Sequence, residues 1–202
     1  MTQEDKQRWN DRYAAGAYEG REHPAALLEQ WVDSAAPGRA LDLACGRGRN
    51  ARYLAARGFA VTAVDIADVA ISAARARAVA DGLDIDWRVA DLDGVGDVPA
   101  FGDAFQLILI MRYADLALAG RAARWLAPGG LLIVEAHVGG ALHTDDVGGP
   151  RGERLRLAPG SLEAALAPAT LEVCYAREER VVDPDGAPMA LARFVGQRRA
   201  SG

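Results

Sequence analysis

From residue 39 onward, short apolar runs rich in β-formers alternate with stretches whose apolar positions recur at helical spacing. Arg39–Leu43, Ala60–Val64, Asp84–Ala90, Phe105–Met111 and Leu131–Ala136 read as strands. Between them, NARYLAARG reads as an amphipathic helix ended by Gly58, and DVAISAARARAVADG as a second ended by Gly82, both favoured by alanine. Upstream, HPAALLEQWVDSAAPG predicts a helix that opens at Pro24 and stops before the Pro37-Gly38 turn, while the segment with Trp9, Tyr13 and Tyr18 shows no clear period. After the fifth strand, the polar, glycine-rich stretch from Val138 to Leu155 reads as a loop long enough to serve as a lid. Ser161 is placed to cap a helix over SLEAALA, and TLEVCYAREERVV and APMALARFVGQRR flank DPDG as an antiparallel hairpin. Strand–helix alternation of this kind predicts an α/β fold, a doubly wound, mostly parallel sheet with a C-terminal antiparallel hairpin.

Composition narrows the partners. Half of the 202 residues are apolar, enough for one core without staples. A net charge of -5 excludes a general nucleic-acid or anionic-membrane surface, since lysines and arginines are interspersed with acids. Cys45 and Cys174 form no ligand-like cluster, so no metal is expected. The charged opening MTQEDKQRWN does not read as a signal peptide, and no apolar run approaches membrane-spanning length. The expectation is a cytoplasmic protein, monomer or homodimer, acting on a small molecule without nucleic-acid or membrane partners.

The chemistry gathers at strand ends. LDLACGRGRN runs from a strand into a glycine loop and a helix, the arrangement that brings backbone N–H groups close to a ligand. Gly46 to Ala51 also satisfies GxGxxA, a variant of the dinucleotide fingerprint, with Asp65 near the place of an acidic ribose partner. Two acids argue for another ligand. Asp42 puts a carboxylate inside an apolar strand, where it must find donors or a cation, and a sulfonium with an amino-acid tail supplies such a partner. Asp91, at the end of the third strand, is suited to accept from an exocyclic adenine amine.

In order and spacing over residues 39 to about 137, the chain resembles the class I S-adenosylmethionine-dependent methyltransferases: LDLACGRGRN matches their first motif, VTAVDIA their ribose-binding strand end, VADLD their adenine motif, and LAPGGLLIVEA their fifth strand. RWNDRY, the CGRGRN variant and the tail most resemble the tellurite-resistance and thiopurine methyltransferase-like group. The resemblance implies strand order 3-2-1-4-5-7-6, with an N-terminal cap over residues 1–38, a cofactor-binding core over 39–137 and a lid, helix and hairpin over 138–202 of a single domain. It implies S-adenosylmethionine as cofactor and S-adenosylhomocysteine as product. Asp65 would hold the ribose hydroxyls, Asp91 the adenine amine, Ile66 and Leu92 the adenine faces, and the backbone of Ala44, Cys45, Gly46 and Gly48 the methionine moiety, with Asp42 acting directly or by orienting the loop.

Methyl transfer needs donor and nucleophile in line, and a base only where the acceptor must lose a proton. MRYADL, after the fourth strand, is expected to line the methyl site; Met111 would flank the cofactor, Arg112 attract an anionic acceptor and Tyr113 offer a hydroxyl. That stretch lacks the Asn/Asp-Pro-Pro-aromatic motif of nucleic-acid amino methyltransferases, and it also departs from the His-containing stretch of the tellurite-resistance group. His137 ends the fifth strand on the same rim, where it could touch the acceptor or act as a base. Trp9 and Tyr13, four residues apart, would share a helix face and cover the sulfonium by a cation–π attraction of about 0.5–2 kcal/mol. Trp31, Trp87 and Trp125 read as packing residues, Cys174 as strand core, and Glu135 as held by backbone or an arginine. The expected acceptor is a small molecule, a soft S, Se or Te nucleophile or an anionic one. Two alternatives stand beside it: a non-catalytic sensor that binds the cofactor, and an NAD-dependent oxidoreductase built on the GxGxxA reading.

Overall fold

A computed structural model describes residues 3–92, 104–150 and 152–200. Seven strands form one sheet: β1 (Arg39–Leu43), β2 (Ala60–Asp65), β3 (Asp86–Val89), β4 (Phe105–Met111), β5 (Leu126–His137), β6 (Leu171–Val182) and β7 (Pro188–Arg198). Their order is β3-β2-β1-β4-β5-β7-β6, the order expected from the resemblance. β1 to β5 pair in parallel, and β7 inserts antiparallel between β5 and β6.

Six α-helices accompany them: α1 (Gln3–Ala14), α2 (Ala26–Trp31), α3 (Arg49–Ala56), α4 (Asp68–Ala80), α5 (Leu116–Ala122) and α6 (Ser161–Leu166). Strand parity sorts the core into two layers. Ala40, Leu107, Leu109 and Ile133 face α2, α3 and α4 through Leu28, Leu54 and Ile71; Leu41, Ile108, Ile110 and Val134 face α5 and α6 through Leu118 and Leu162. A sheet covered on both faces needs apolar residues at every position, which is why FQLILIM shows no alternation.

β1 and β4 lie side by side, but α3, which follows β1, covers one face and α5, which follows β4, covers the other. The chain therefore diverges at their carboxyl ends and leaves a crevice there, the place where open α/β sheets bind ligands.

Some expectations are corrected. Ser161 is the first residue of α6 rather than its cap; Gly160 holds that place with a φ of 75°, and the Ser161 hydroxyl donates to the Ala158 carbonyl. Cys174 is exposed at a bulge of β6 instead of lying in the core. β5 starts at Leu126, because Leu126 pairs with Phe105 ahead of a register shift that absorbs the Pro-Gly-Gly stretch. α1 forms where no period was legible: it buries little beyond Tyr13, and side chains fasten it to α4, Asn10 donating to Asp68 at 2.6 Å.

A cleft where β1 and β4 part

The glycine loop after β1 is held in an unusual backbone state. Ala44, Gly46 and Gly48 all have positive φ, of 57°, 53° and 72°. For Ala44 this is a strained position of the kind that clusters at functional sites. Gly46 admits no side chain, since a Cβ would lie 2.7 Å from the Tyr13 hydroxyl. Asp65 clamps the loop: one oxygen accepts from the Gly46 amide at 2.8 Å, the other from the Ala67 amide at 2.9 Å. Burial raises its pKa, with those amides pulling the other way.

A cleft of about 1170 Å³, open mouth included, is walled by this loop, by Asp65 and Ile66 after β2, by Leu92 beyond β3, by Met111, Arg112 and Tyr113 after β4, and by His137 at the end of β5. Trp9 and Tyr13 cover it from α1, their rings 6.1 Å apart. The sequence-derived residues on the wall are thus Trp9, Tyr13, Ala44, Cys45, Gly46, Asp65, Ile66, Leu92, Met111, Arg112, Tyr113 and His137.

Three others lie off it. Asp42 is wholly buried beneath the loop, on the sheet face covered by α2 to α4. Gly48 turns away from the cleft: a Cβ there would fall 2.3 Å from the Trp87 ring, so this glycine exists for close packing. In a dinucleotide fingerprint the second glycine brings the backbone up to the pyrophosphate, whereas this one packs against Trp87. Asp91 is partly buried beside the wall, where only its neighbour Leu92 reaches the cleft.

Asp42 has a consequence for stability. Neither of its oxygens closes a full hydrogen bond. Burial pushes its pKa up to about 7 from an ordinary 3.8, Arg49 opposes this, Asp65 reinforces it, and the Ala51 amide draws it down in part. Between those two pH values the folded chain keeps a proton that the unfolded chain has lost, so stability falls as pH rises through that window. Asp42→Asn is expected to remove this contribution, so that in urea unfolding its stability gains on the parent's as pH rises from about 4 to about 8. A difference between variant and parent that does not change from about pH 4 to about pH 8 would mean the carboxylate is ionised and paired.

His137 and Arg112 depart from expectation. His137 is buried, Gly149 of the following loop lies against its ring, and Nδ1 has no partner. Burial and then the cations Arg112 and Arg21, with His143 and Arg156, push its pKa down to about 3. Its imidazole thus lines the cleft as a weakened base. Arg112, at a φ of 61°, does not extend freely toward an acceptor. Its Nε donates to Glu135 at 2.7 Å and one Nη to Asp183 at 2.5 Å, while Glu135 also accepts from Arg193 at 3.1 Å. Asp183 stands at the turn of the β6–β7 hairpin, so the C-terminal hairpin helps hold the cleft wall.

The sequence reading missed four more arginines on the wall, Arg12, Arg21, Arg47 and Arg49, together with Tyr18. Arg47 ties the loop to the N-terminal segment through the carbonyls of Tyr13 (2.7 Å) and Ala17 (3.2 Å). No periodicity links these positions; the fold alone gathers them. Pro150 and Leu155 of the expected lid also reach the cleft.

Residues 40–130 match the family model of the methyltransferase domain. The fold is that of the class I, S-adenosylmethionine-dependent methyltransferases. Curated relatives over this domain include a ubiquinone biosynthesis O-methyltransferase of Xylella fastidiosa (strain 9a5c), 33% identical over 99 residues, covering 48% of this chain and 40% of that protein. Another, from Caulobacter sp. (strain K31), is 36% identical over 101 residues, covering 48% and 39%. The chain thus spans about two fifths of the length of these relatives. Among solved structures, TehB from Haemophilus influenzae superposes with a TM-score of 0.67 at 20% identity, covering 86% of this chain and 61% of TehB. Geranyl diphosphate C-methyltransferase from Streptomyces coelicolor A3(2), solved with S-adenosyl-L-homocysteine, gives 0.63 at 16%, covering 86% and 80%. The methyltransferase domain's cofactor fits the wall: Asp65 keeps lone pairs beyond the two amides it accepts, and Ile66 and Leu92 are apolar. No helix among the described residues is long and apolar enough to cross a membrane.

Proposed function

We propose that the chain is a cytoplasmic S-adenosylmethionine-dependent methyltransferase whose small-molecule acceptor attacks as an anion, a soft S, Se or Te nucleophile or an oxyanion. The observation that carries this reading is the composition of the cleft wall, which among the described residues holds five arginines and one acid, Asp65, already engaged by the glycine loop. Asp65 takes the ribose hydroxyls, Ile66 and Leu92 flank the adenine, and Ala44 to Gly46 cradle the amino-acid end under Trp9 and Tyr13. Asp42 acts from below by shaping the loop. When bound, the sulfonium supplies an activated methyl group. The chain's own contribution is alignment: Arg112 and Tyr113 set the acceptor, and the arginines favour its charged form. A neutral acceptor would need a base, and His137 resists protonation at neutral pH.

The test is release of S-adenosylhomocysteine with selenite, tellurite, small thiols, carboxylates, phenols and amines, followed against pH. Turnover is expected with the anionic acceptors, levelling off above each acceptor's own pKa. Turnover confined to amines, or turnover of phenols that does not follow their own ionisation, would refute the anionic reading. Tight cofactor binding with no turnover of any acceptor would return the sensor reading.

A further inference from the structure

We infer that the acceptor is a small monocarboxylic acid with an apolar body, its carboxylate held between Arg49 and Arg112. The inference rests on the methyltransferase reading of the cleft and names the class of molecule that fills its acceptor half. The five wall arginines are not equivalent. Arg47 is spent on the carbonyls of Tyr13 and Ala17, and Arg12 on the Tyr18 hydroxyl and the face of Trp9. Arg21 pairs with Asp183 at 3.6 Å and Asp185 at 3.1 Å.

Arg49 is different. Among the described residues it has one hydrogen bond, from Nη1 to the His23 carbonyl at 2.9 Å, and no acid within ion-pair distance. It is partly buried, and burial and then neighbouring Arg112 lower its pKa, with the more distant Asp183 and Glu135 offsetting this in part, so a bound anion would favour its cation. Arg112, already balanced by Glu135 and Asp183, still has a buried Nη1 with no partner. The site therefore offers one cation with no direct ion pair and one orphaned donor.

That inventory selects the ligand. A planar carboxylate brings one negative charge and two oxygens, one for the Arg49 fork and one for the Arg112 Nη1. A dianionic phosphate would meet the same donors with a second charge, close to Glu135 and Asp183, that nothing balances. Beside the two arginines the wall turns apolar at Ala114, Pro150 and Leu155, which suits a hydrocarbon or aromatic body.

The experiment is calorimetric titration of the full chain, first with S-adenosylhomocysteine and then, at saturation, with phenylacetate, phenylacetamide and inorganic phosphate. Phenylacetate is expected to bind, the isosteric amide about tenfold or more weakly, and phosphate more weakly than the acid. Arg49→Gln should cost phenylacetate about tenfold or more, and Arg49→Lys should recover part of it, with S-adenosylhomocysteine affinity kept within about threefold in both. Retained S-adenosylhomocysteine binding also shows that the variants fold. Equal binding of acid and amide, tighter binding of phosphate, an unchanged Arg49→Gln, or a variant that loses S-adenosylhomocysteine with the acid would each overturn the inference. Failure of the parent to bind S-adenosylhomocysteine would instead remove the methyltransferase reading beneath it.

Discussion

Replacing Arg112 with methionine is expected to destabilise the fold by about 3–5 kcal/mol, because it strands two buried carboxylates. Glu135 and Asp183 are 3% and 9% exposed at their side chains, and each loses its main cation when the guanidinium goes. Asp183 retains only the longer contact to Arg21, at 3.6 Å, and Glu135 only Arg193, at 3.1 Å. For a chain of this size a loss of that magnitude lowers the melting temperature by roughly 2–4 °C per kcal/mol. Adding Glu135→Gln to the methionine variant should restore part of the stability, since an uncharged amide is cheaper to leave behind. Thermal and urea unfolding of the single and double variants measure this. An undiminished melting temperature would show that the network contributes nothing. MRYADL alone suggests a free arginine at the methyl site, and in that case the same substitution would alter only acceptor affinity.

Asp65→Ala is the second large effect. Among the described residues the carboxylate is the one acid on the cleft wall, and its loss should weaken S-adenosylmethionine binding by about 1.5–3 kcal/mol, the worth of a hydrogen bond to a charged group. At 1.4 kcal/mol per decade this is roughly tenfold to a hundredfold or more. The amides of Gly46 and Ala67 lose their acceptor at the same time, so Asp65→Asn, which keeps one carbonyl oxygen, should fall between the parent and alanine. Because burial raises the pKa of this carboxyl, acidification should weaken cofactor binding at a pH above the usual carboxylate range. Calorimetry on the three proteins at two pH values gives the comparison. Cofactor affinity that ignores both substitutions would take Asp65 out of the site.

What the sequence revealed of the fold follows from which signals are local. Arg39–Leu43 and Phe105–Met111 end where the apolar runs end, because a strand buried on both faces writes its limits into composition. Asp84 and Ile85 have β-like neighbours yet fall outside β3, whose pairing with β2 begins only at Asp86 and Thr62. α5 was not legible as a helix beyond a short leucine and alanine run; its start is set by the Asp115 side chain accepting from the Leu118 amide at 2.8 Å. α1 is mostly polar and owes its position to Tyr13, Asn10 and Lys6 packing or bonding against the start of α4, contacts more than fifty residues away in sequence.

The site divides the same way. Each of Gly46, Asp65, Ile66 and Leu92 lies within a few residues of its own strand end, so these could be named from the motifs there. Arg12, Arg21 and Arg49 carry no such signal, and only the return of the N-terminal segment over the loop brings them to one wall. The fate of Arg112 was hidden for a related reason: its partner Asp183 sits 71 residues later, on a hairpin turn whose position depends on β7 inserting beside β5.

Titration of the parent chain with S-adenosylhomocysteine, with NADH as control, measures most directly whether the crevice between β1 and β4 is a sulfonium-nucleoside site. One molecule of S-adenosylhomocysteine per chain should bind in the micromolar range or tighter, with no heat from NADH. Binding of NADH in its place, or of neither, would contradict it.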